Sequence, residues 1–367
     1  VSNKETGEPF VYTCNFLLMC SGYYSYKSGY TPDFEGVEAY SGKIVHPQEW
    51  PEDINYEAKK VVVIGSGATA VTLVPAMAES AEHVVMLQRS PTYVVARPDH
   101  DPFSALLRKI LPERIAYYLT IKKNIFGQNY IYKLTRKDPE KVKEKILSGV
   151  RMALDSDFDV ERHFTPSYNP WDERLCLVPN GDLFKSIRKK KVSVRTETID
   201  RFTSEGILLE TGEELKADII VTATGLNLVT LGEVEFRIDG DLVDFSETWI
   251  YKGLAYSGVP NLISTFGYIN ASWTLRADIN SSYACRLLNH MRKSGTKRAT
   301  PRLRESDIDM PQRDWIEGFT SGYMKRSMSE MPKQGDREPW LNTQDFYKDK
   351  KMLSRNTSLE DGVMEFV

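Results

Sequence analysis

The 367-residue sequence has little that would place it across a membrane, at a metal ion or outside the cell. No apolar run approaches the length of a membrane-spanning helix, and no signal-peptide pattern opens the chain. The cysteines show neither metal-ligand spacing nor the Cys-x-x-Cys pair of a dithiol reductase. They are Cys14, Cys20, Cys176 and Cys285. These absences predict a reducing, cytoplasmic setting and no metal site.

Charge of either sign is nearly balanced. The net charge of −3 and the pI of about 6.1 give no global attraction to nucleic acid or to anionic membranes. The sequence contains no internal repeat and no low-complexity tract. Its length exceeds what one hydrophobic core usually serves, so we expect two or more domains.

Residues 61–70, VVVIGSGATA, organise the rest of the sequence. Four branched apolar residues run into Gly-x-Gly-x-x-Ala, which is typical of a buried parallel strand, a tight turn and a helix N-terminus that binds a dinucleotide pyrophosphate. Gly65 permits the turn, Gly67 lets the backbone approach the phosphate, and Ala70 keeps the helix close to the sheet. The predicted phosphate-binding residues are Gly65, Ser66, Gly67, Ala68, Thr69 and Ala70.

Arg89 and Ser90 decide which nucleotide this unit favours. A predicted helix over residues 70–81 and a strand over His83–Gln88 complete a βαβ unit, and the two residues follow that strand. NAD-preferring enzymes place Asp or Glu here, whereas a guanidinium and a hydroxyl suit the 2′-phosphate of NADP. The sequence therefore favours NADP(H). The alternative is that Arg89 is a solvated charge at a strand end.

Two apolar strands end in a hydroxyl and a glycine. Residues 9–20 predict a hairpin arm leading into a buried strand before Ser21-Gly22, and residues 217–223 predict another buried strand before Thr224-Gly225. Small residues at the carboxyl end of a strand leave room for a ligand. Two ordinary strand-to-loop turns would explain the same pattern.

A helical insertion follows the predicted nucleotide unit. Leu106, Leu107, Ile110 and Leu111 share one helix face; Pro112 and Pro139 each begin a further helix. Val142, Ile146 and Val150 are predicted to face inward. Lysine and arginine outnumber acidic residues here, which favours a solvated polar face and leaves a membrane-facing or partner-facing surface as the alternative.

Residues 40–51 carry the most specific motif. They match Phe-x-Gly-x-x-x-His-x-x-x-Trp followed by Pro or Asp, at Tyr40, Gly42, His46, Trp50 and Pro51. This pattern marks the Baeyer–Villiger branch of the class B flavoprotein monooxygenases, and Tyr for Phe is the one departure. With GSGATAVTLVP, LQRSP, RLCLVPNGDLF and TATGLN, the chain resembles that family from Phe10 onward. It is most similar to the subgroup of the mycobacterial ethionamide-activating monooxygenase.

The resemblance implies an α/β protein in which a Rossmann-like NADP domain, with a helical insertion, is inserted in an FAD-binding domain. It also implies that NADPH reduces FAD, that the reduced flavin captures O2 as a flavin peroxide, and that this peroxide attacks a ketone or a thioether or thioamide sulfur. His46 and Trp50, which spacing alone assigns to packing, become members of an interdomain hinge. Arg174 matches the family arginine that stabilises the anionic intermediates.

The sequence departs from the family at two places. Glu173 stands where several members have a lysine for the 2′-phosphate, which leaves that task to Arg89 and Ser90. The family's first Gly-x-Gly-x-x-Gly, which holds the FAD pyrophosphate, is absent from these residues, and the chain begins at Val1. We therefore expect an N-terminally incomplete FAD-binding domain, and a polypeptide that binds FAD poorly and is inactive by itself, while the intact protein is a monooxygenase.

The predicted organisation has six segments. They are the end of the first FAD-binding part (1–33), the linker with the family motif (34–57), the first NADP-binding part (58–100), the helical insertion (101–167), the second NADP-binding part (168–225) and the returning FAD-binding part with the C-terminal region (226–367). Alternative functions are a flavin-dependent N- or S-oxygenase without Baeyer–Villiger activity, and a non-enzymatic NADP(H)-sensing module. The pattern leaves the oligomeric state and the substrate open.

Overall fold

The computed structural model describes residues 6–367, which form two compact units. Unit 1 contains the residues up to 24 together with 228–317 and 326–367, and unit 2 contains residues 25–227 and 318–325. Unit 2 is therefore inserted in the sequence of unit 1. The six segments predicted from the sequence are defined by the cofactor that each is expected to bind, and they stay predictions. The first of them begins in residues 1–5, which lie outside the described residues.

The strands of residues 6–367 are β1 (Leu17–Met19), β2 (Tyr24–Gly29), β3 (Lys43–Val45), β4 (Lys60–Ile64), β5 (His83–Gln88), β6 (Val94–Arg97), β7 (Cys176–Pro179), β8 (Val192–Thr196), β9 (Ile199–Phe202), β10 (Gly206–Leu209), β11 (Glu214–Lys216), β12 (Ile219–Thr222), β13 (Leu226–Leu228), β14 (Arg237–Ile238), β15 (Asp241–Leu242), β16 (Ile250–Tyr251), β17 (Ala255–Tyr256), β18 (Leu262–Ser264), β19 (Ala299–Pro301) and β20 (Met364–Phe366). The α-helices of the same residues are α1 (Ala68–Met77), α2 (Pro102–Ile110), α3 (Glu113–Lys137), α4 (Pro139–Ala153), α5 (Val160–Phe164), α6 (Asp182–Arg188), α7 (Trp273–Ser294), α8 (Gly322–Ser327) and α9 (Phe346–Met352). In this described part of the chain, no helix combines the length and the apolar character needed to cross a membrane.

A five-stranded parallel sheet forms the centre of unit 2, in the order β3-β12-β4-β5-β8. β12 is buried along its whole length, and in β4 Val61, Val62 and Val63 are at most 1% exposed. Both faces of these strands are covered, which explains why they read as continuous apolar runs and not as alternating patterns. The chain leaves β4 toward β5 on one side, while β12 lies on the other side. Nucleotides bind at such a switch point in doubly wound sheets.

Residues 34–57, predicted to be a linker, contribute β3 to this sheet. Lys43, Ile44 and Val45 pair in parallel with Ile219, Ile220 and Val221 of β12. Three residues bounded by polar and glycine positions are too short for periodicity to reveal a strand. The strand exists because the edge of β12 offers it a hydrogen-bonding partner.

The predicted helical insertion is present as α2–α5. Pro139 is the first residue of α4, and Pro112 immediately precedes α3. Val142 and Val150 are buried as predicted. The apolar residues of α2 differ, because Leu106 and Ile110 are exposed by 53% and 67% and belong to no core.

Unit 1 begins with the parallel pair β1 and β18. The strand predicted over residues 9–20 is shorter than expected and is not buried, since Leu17 and Leu18 are 37% and 43% exposed. Within the described residues β1 pairs only with β18, so its other edge lacks a neighbouring strand. The main core of unit 1 surrounds α7 and includes Tyr251, Tyr283 and Trp340.

Candidate nucleotide and hinge sites

Gly65 forms the turn that leaves β4. Its φ is +136°, and an added Cβ would lie 2.4 Å from the carbonyl oxygen of Ala223. Its N–H donates to the carbonyl of Leu87 at 2.8 Å. The turn is therefore held against the ends of both neighbouring strands, and only glycine combines this φ with that approach.

The N-terminus of α1 faces solvent directly after the turn. Gly67 precedes the helix, no side chain caps its first turn, and residues 67–69 are exposed. An added Cβ at Gly67 would meet no atom of the described chain within 4 Å. Packing within the protein therefore does not require glycine here, whereas close approach of a bound anion would. Uncapped N–H groups at a helix start suit a phosphate, and the structure fits the predicted pyrophosphate cradle.

Ser66 connects this turn to two other segments. Its hydroxyl donates to the carbonyl of Ser90 at 3.1 Å and lies 3.1 Å from the Thr92 hydroxyl, while its own carbonyl accepts from the Cys176 thiol at 3.9 Å. Burial raises the pKa of Cys176 to about 12. Cys176 therefore stays a thiol and serves packing between β7 and the turn.

Arg89 and Ser90 follow β5 and are exposed. Within residues 6–367, no hydrogen bond or ion pair holds the Arg89 guanidinium. Arg89 follows the carboxyl end of β5, and α1 follows the carboxyl end of the parallel strand β4. A guanidinium at this edge of the sheet suits a phosphate.

Tyr40 and Gly42 of the family motif pack against the segment before β12. The buried Tyr40 hydroxyl donates to the carbonyl of Ala217 at 2.9 Å. An added Cβ at Gly42 would lie 2.3 Å from that hydroxyl and 2.6 Å from the carbonyl oxygen of Asp218. The tyrosine that departs from the motif therefore has a specific partner.

His46 joins three segments of unit 2. Its Nε2 lies 3.1 Å from the carbonyl oxygen of Gly225, and its Nδ1 accepts from the N–H of Gln48 at 3.2 Å. These partners assign the proton to Nε2. An added Cβ at Gly29 would lie 1.8 Å from Cε1 of the ring. Glycine at the end of β2 is thus what admits the imidazole.

The residues that follow β12 are hydrogen-bonded to the segment that contacts His46. The Thr224 hydroxyl donates to the carbonyl of Tyr30 at 2.6 Å, and the N–H of Tyr30 donates to Gly225 at 3.0 Å. Because Ala223 borders Gly65, the cradle, Thr224-Gly225 and His46 form one continuous set of contacts. Trp50 packs at the margin of the sheet core, and Pro51 accepts from the N–H of Ile54 at 3.4 Å.

Arg174 lies just before β7, two residues from Cys176. The side chain is half-buried, and its Nε donates to the Tyr323 hydroxyl at 3.1 Å. Tyr323 belongs to residues 318–325, the late return of the chain to unit 2. Burial raises the pKa of the adjacent Glu173, while Lys325 opposes this shift.

Arg136 holds this region together and was missed from the sequence. Its guanidinium donates to the Asp172 carboxylate at 2.6 Å and to the carbonyls of Trp171 and Gly318 at 2.7 and 3.1 Å. The N–H of Thr320 adds a bond to the Asp172 carbonyl at 2.8 Å. No local pattern signals these partners, because they lie 35 to 182 residues away from Arg136 in the chain.

Ser21 and Gly22 lie in unit 1, at the carboxyl end of β1. They line a pocket that also contains Thr265 and Phe266, which follow the parallel strand β18, and Trp315. The indole N–H of Trp315 is buried and has no hydrogen-bond partner among residues 6–367. The pocket thus lies at the carboxyl ends of two parallel strands and includes the Trp315 ring in its lining. Among the described residues no cluster suited to a metal ion occurs.

The sheet order and the glycine turn define a Rossmann-type nucleotide-binding protein. Among solved structures, oxidised steroid monooxygenase bound to NADP matches with a TM-score of 0.66 and 18% identity over 92% of this chain and 72% of that chain. OTEMO in complex with FAD and NADP matches with a TM-score of 0.63 and 19% identity, over 82% of this chain and 65% of that chain. These likenesses confirm the predicted α/β fold.

Sequence comparison identifies the family. The model of the flavin-binding monooxygenase-like family matches residues 3–150. EthA of Mycobacterium tuberculosis, a FAD-containing monooxygenase, is 51% identical over 96% of this chain and 71% of its own length. AlmA of Acinetobacter baylyi, a probable FAD-binding monooxygenase, is 48% identical over 96% of this chain and 70% of its own length. The chain belongs to the flavin-binding monooxygenase family, which confirms the resemblance found in the sequence.

Proposed function

We propose that the protein is an FAD- and NADPH-dependent monooxygenase that transfers one oxygen atom of O2 to a small molecule. The substrate is a ketone, converted to an ester, or a thioether or thioamide, oxidised at sulfur. The observation that carries the proposal is the exposed, uncapped start of α1 beside Arg89, in a chain whose relatives are FAD-containing monooxygenases. The cytoplasmic location is part of the proposal.

NADP(H) would bind at the carboxyl end of the unit 2 sheet. The backbone N–H groups of residues 67–69 would hold the pyrophosphate, and Arg89 with Ser90 would hold the 2′-phosphate. Both side chains are exposed at the end of β5. A 2′-phosphate on a permanently charged guanidinium gives the preference for NADP over NAD.

FAD would use the carboxyl ends of β1 and β18 for part of its binding. The lining of the pocket there includes Ser21, Gly22 and Trp315, whose N–H has no partner among the described residues. When bound, FAD supplies the reduction and O2 chemistry of the reaction, and the protein supplies orientation and charge.

Arg174 is the proposed catalytic cation. A guanidinium keeps its charge throughout the physiological pH range and donates in a planar fork, which suits an oxyanion that develops during oxygen transfer. Its bond to Tyr323 and the Arg136–Asp172 ion pair in the neighbouring segment restrict its position. Preorganisation of this kind lowers the reorganisation cost when charge develops.

The test supplies the purified full-length protein with FAD and NADPH under 18O2, together with a simple ketone and a simple thioether. We expect NADPH oxidation coupled to one labelled oxygen atom in the ester, the sulfoxide or both. Sulfoxide without ester would assign the chain to the S-oxygenases. Tight NADPH binding with no oxygenated product in the presence of bound FAD would contradict the proposal and favour a nucleotide sensor.

A further inference from the structure

The helical hairpin surface, residues 102–137, exposes large apolar side chains that no core uses. On α2, Phe103, Leu106 and Ile110 are 46%, 53% and 67% exposed. Their spacing places them on one face of the helix. Monomeric soluble proteins rarely expose continuous apolar surface of this kind without a partner.

α3 exposes further large apolar side chains. Among these, Ile115, Leu119, Phe126 and Tyr130 are 49%, 39%, 66% and 59% exposed and recur at intervals of four or seven residues. The rings of Phe126 and Tyr130 stack with centroids 6.2 Å apart. An exposed aromatic pair on a helix is typical of a surface that meets a partly apolar environment.

The two helices form an antiparallel hairpin. Asp101 pairs with Lys123, and Ser104 accepts from the hydroxyl of Thr120 at 3.3 Å. Both helices lie within unit 2.

The surface is also strongly basic. Residues 102–137 contain eight lysine and arginine residues and one acidic residue, Glu113, a net charge of +7 in a chain of −3. The basic residues are Arg108, Lys109, Arg114, Lys122, Lys123, Lys133, Arg136 and Lys137. Only Lys123 and Arg136 of these have carboxylate partners within residues 6–367. The other six are available to anions outside the protein.

We propose that the helical hairpin surface docks on an anionic phospholipid membrane. Apolar side chains would enter the boundary between headgroups and acyl chains, and the surrounding lysines and arginines would contact lipid phosphates. Charge favours this partner over a second copy of the chain, because two surfaces of net positive charge repel each other. This revises the interpretation of the insertion as only a solvated polar face.

Vesicle flotation with the full chain tests the proposal. We expect binding to vesicles of mixed phosphatidylcholine and phosphatidylglycerol, weak binding to phosphatidylcholine alone, and less binding at high salt. L106S/I110S should lower the partition coefficient about tenfold or more. The matched control, L242S/I308S, removes side chains that are 60% and 67% exposed in unit 1 and should leave binding unchanged.

A variant with reversed charges tests the electrostatic contribution to vesicle binding separately from the apolar contribution. K109E/K122E should abolish the preference for phosphatidylglycerol, and because both residues are exposed its thermal unfolding should match the wild type. Absence of vesicle binding, or equal binding by all variants, would overturn the proposal. A dimer in sedimentation that L106S/I110S dissociates would assign the surface to a second copy instead.

Discussion

At the scale of single residues, Arg89 and Arg174 differ in how the protein holds them. The guanidinium of Arg89 is exposed, with no carboxylate partner in the described chain, whereas Arg174 is half-buried and bonded to Tyr323. An exposed arginine at a strand end can adapt to an incoming phosphate. A half-buried, bonded arginine is already oriented, as stabilisation of a developing charge requires.

Arg89→Ala should raise the KM for NADPH about tenfold or more, because a charge-assisted hydrogen bond contributes about 1.5–3 kcal/mol. The KM for NADH should hardly change, and steady-state kinetics with both nucleotides measures the ratio. Arg188→Ala removes an exposed arginine from α6 and serves as the control. An unchanged preference for NADPH in the Arg89 variant would exclude phosphate recognition there.

In the full-length protein, Arg174→Ala should leave reduction of bound FAD by NADPH largely intact and abolish oxygen transfer. In the proposed role, the guanidinium acts on the oxygen-transfer step and not on hydride transfer. Stopped-flow absorbance measures reduction, and product analysis measures oxygenation. Arg174→Lys keeps the charge without the fork and should recover only part of the activity. Equal loss of both half-reactions in the alanine variant would show that the role is misassigned.

Tyr40→Phe restores the usual family residue but removes a hydrogen bond. The carbonyl of Ala217 loses its donor, so we expect a loss of about 1 kcal/mol in the free energy of unfolding, measured in urea. Tyr12→Phe, at a residue 79% exposed, should have no measurable effect. Equal stabilities of the wild type and the Tyr40 variant would mean that the bond contributes nothing.

The same residue predicts a dependence on pH. Burial and the nearby Asp218 raise the pKa of Tyr40 from 10.0 to about 12. The folded state holds this proton more tightly than the unfolded chain, so the contribution is complete below pH 10 and is lost as pH rises toward 12. The stability difference between wild type and Tyr40→Phe should therefore shrink over that interval. A constant difference would contradict this assignment.

At the scale of elements, one glycine at the end of β2 determines how the His46 segment packs. The imidazole occupies the space that a side chain at Gly29 would need, and it links Gln48 to Gly225 at the end of β12. Three separate stretches of sequence thus meet at one ring. This explains how a short motif in a loop can fix the position of a strand end close to the phosphate cradle.

Gly29→Ala should destabilise unit 2 by about 1–3 kcal/mol, because the methyl group overlaps the ring and forces it to move. His46→Ala removes the obstacle, so the double variant should be less destabilised than the sum of the single variants. Gly149→Ala, in α4 with no atom near an added Cβ, should be neutral or slightly stabilising. The double-mutant cycle is measured by urea unfolding. Additive losses in the free energy of unfolding would mean that Gly29 and His46 do not interact.

At the scale of the whole molecule, each unit has its own hydrophobic core. One contains β4, β5 and β12, and another surrounds α7. A ligand that binds only the folded form of one unit stabilises that unit by mass action, by about 2.7 kcal/mol at a hundred times its Kd. NADP+ should therefore slow hydrogen exchange in β4 and β5 and leave β19 and β20 unchanged. Equal protection of both pairs would place the nucleotide elsewhere or show that the units unfold together.

Much of the fold follows from local pattern. The cradle strand, α1, β5 and the helical insertion are all signalled by periodicity, glycine and proline. β3 was missed because three residues carry no period. The burial of β1 was predicted wrongly because an apolar strand reads the same whether or not it has neighbours on both edges.

Some residues of the candidate site could be predicted from the sequence, and others could not. Gly65, Gly67, Arg89 and the family motif are visible in the sequence because each depends on residues close together in the chain. Arg136, Tyr323 and the contact between His46 and Gly29 are not visible, because their partners are distant in sequence and come together only on folding.

The sequence by itself determined the family, the nucleotide unit and the cradle. The reason is that residues close together in the chain set the local backbone conformation and the periodicity of apolar side chains. Only the tertiary structure decided which apolar faces are covered and which polar groups meet. Those outcomes depend on how distant segments pack, and the exposed face of α2 and the position of Arg174 both follow from that packing.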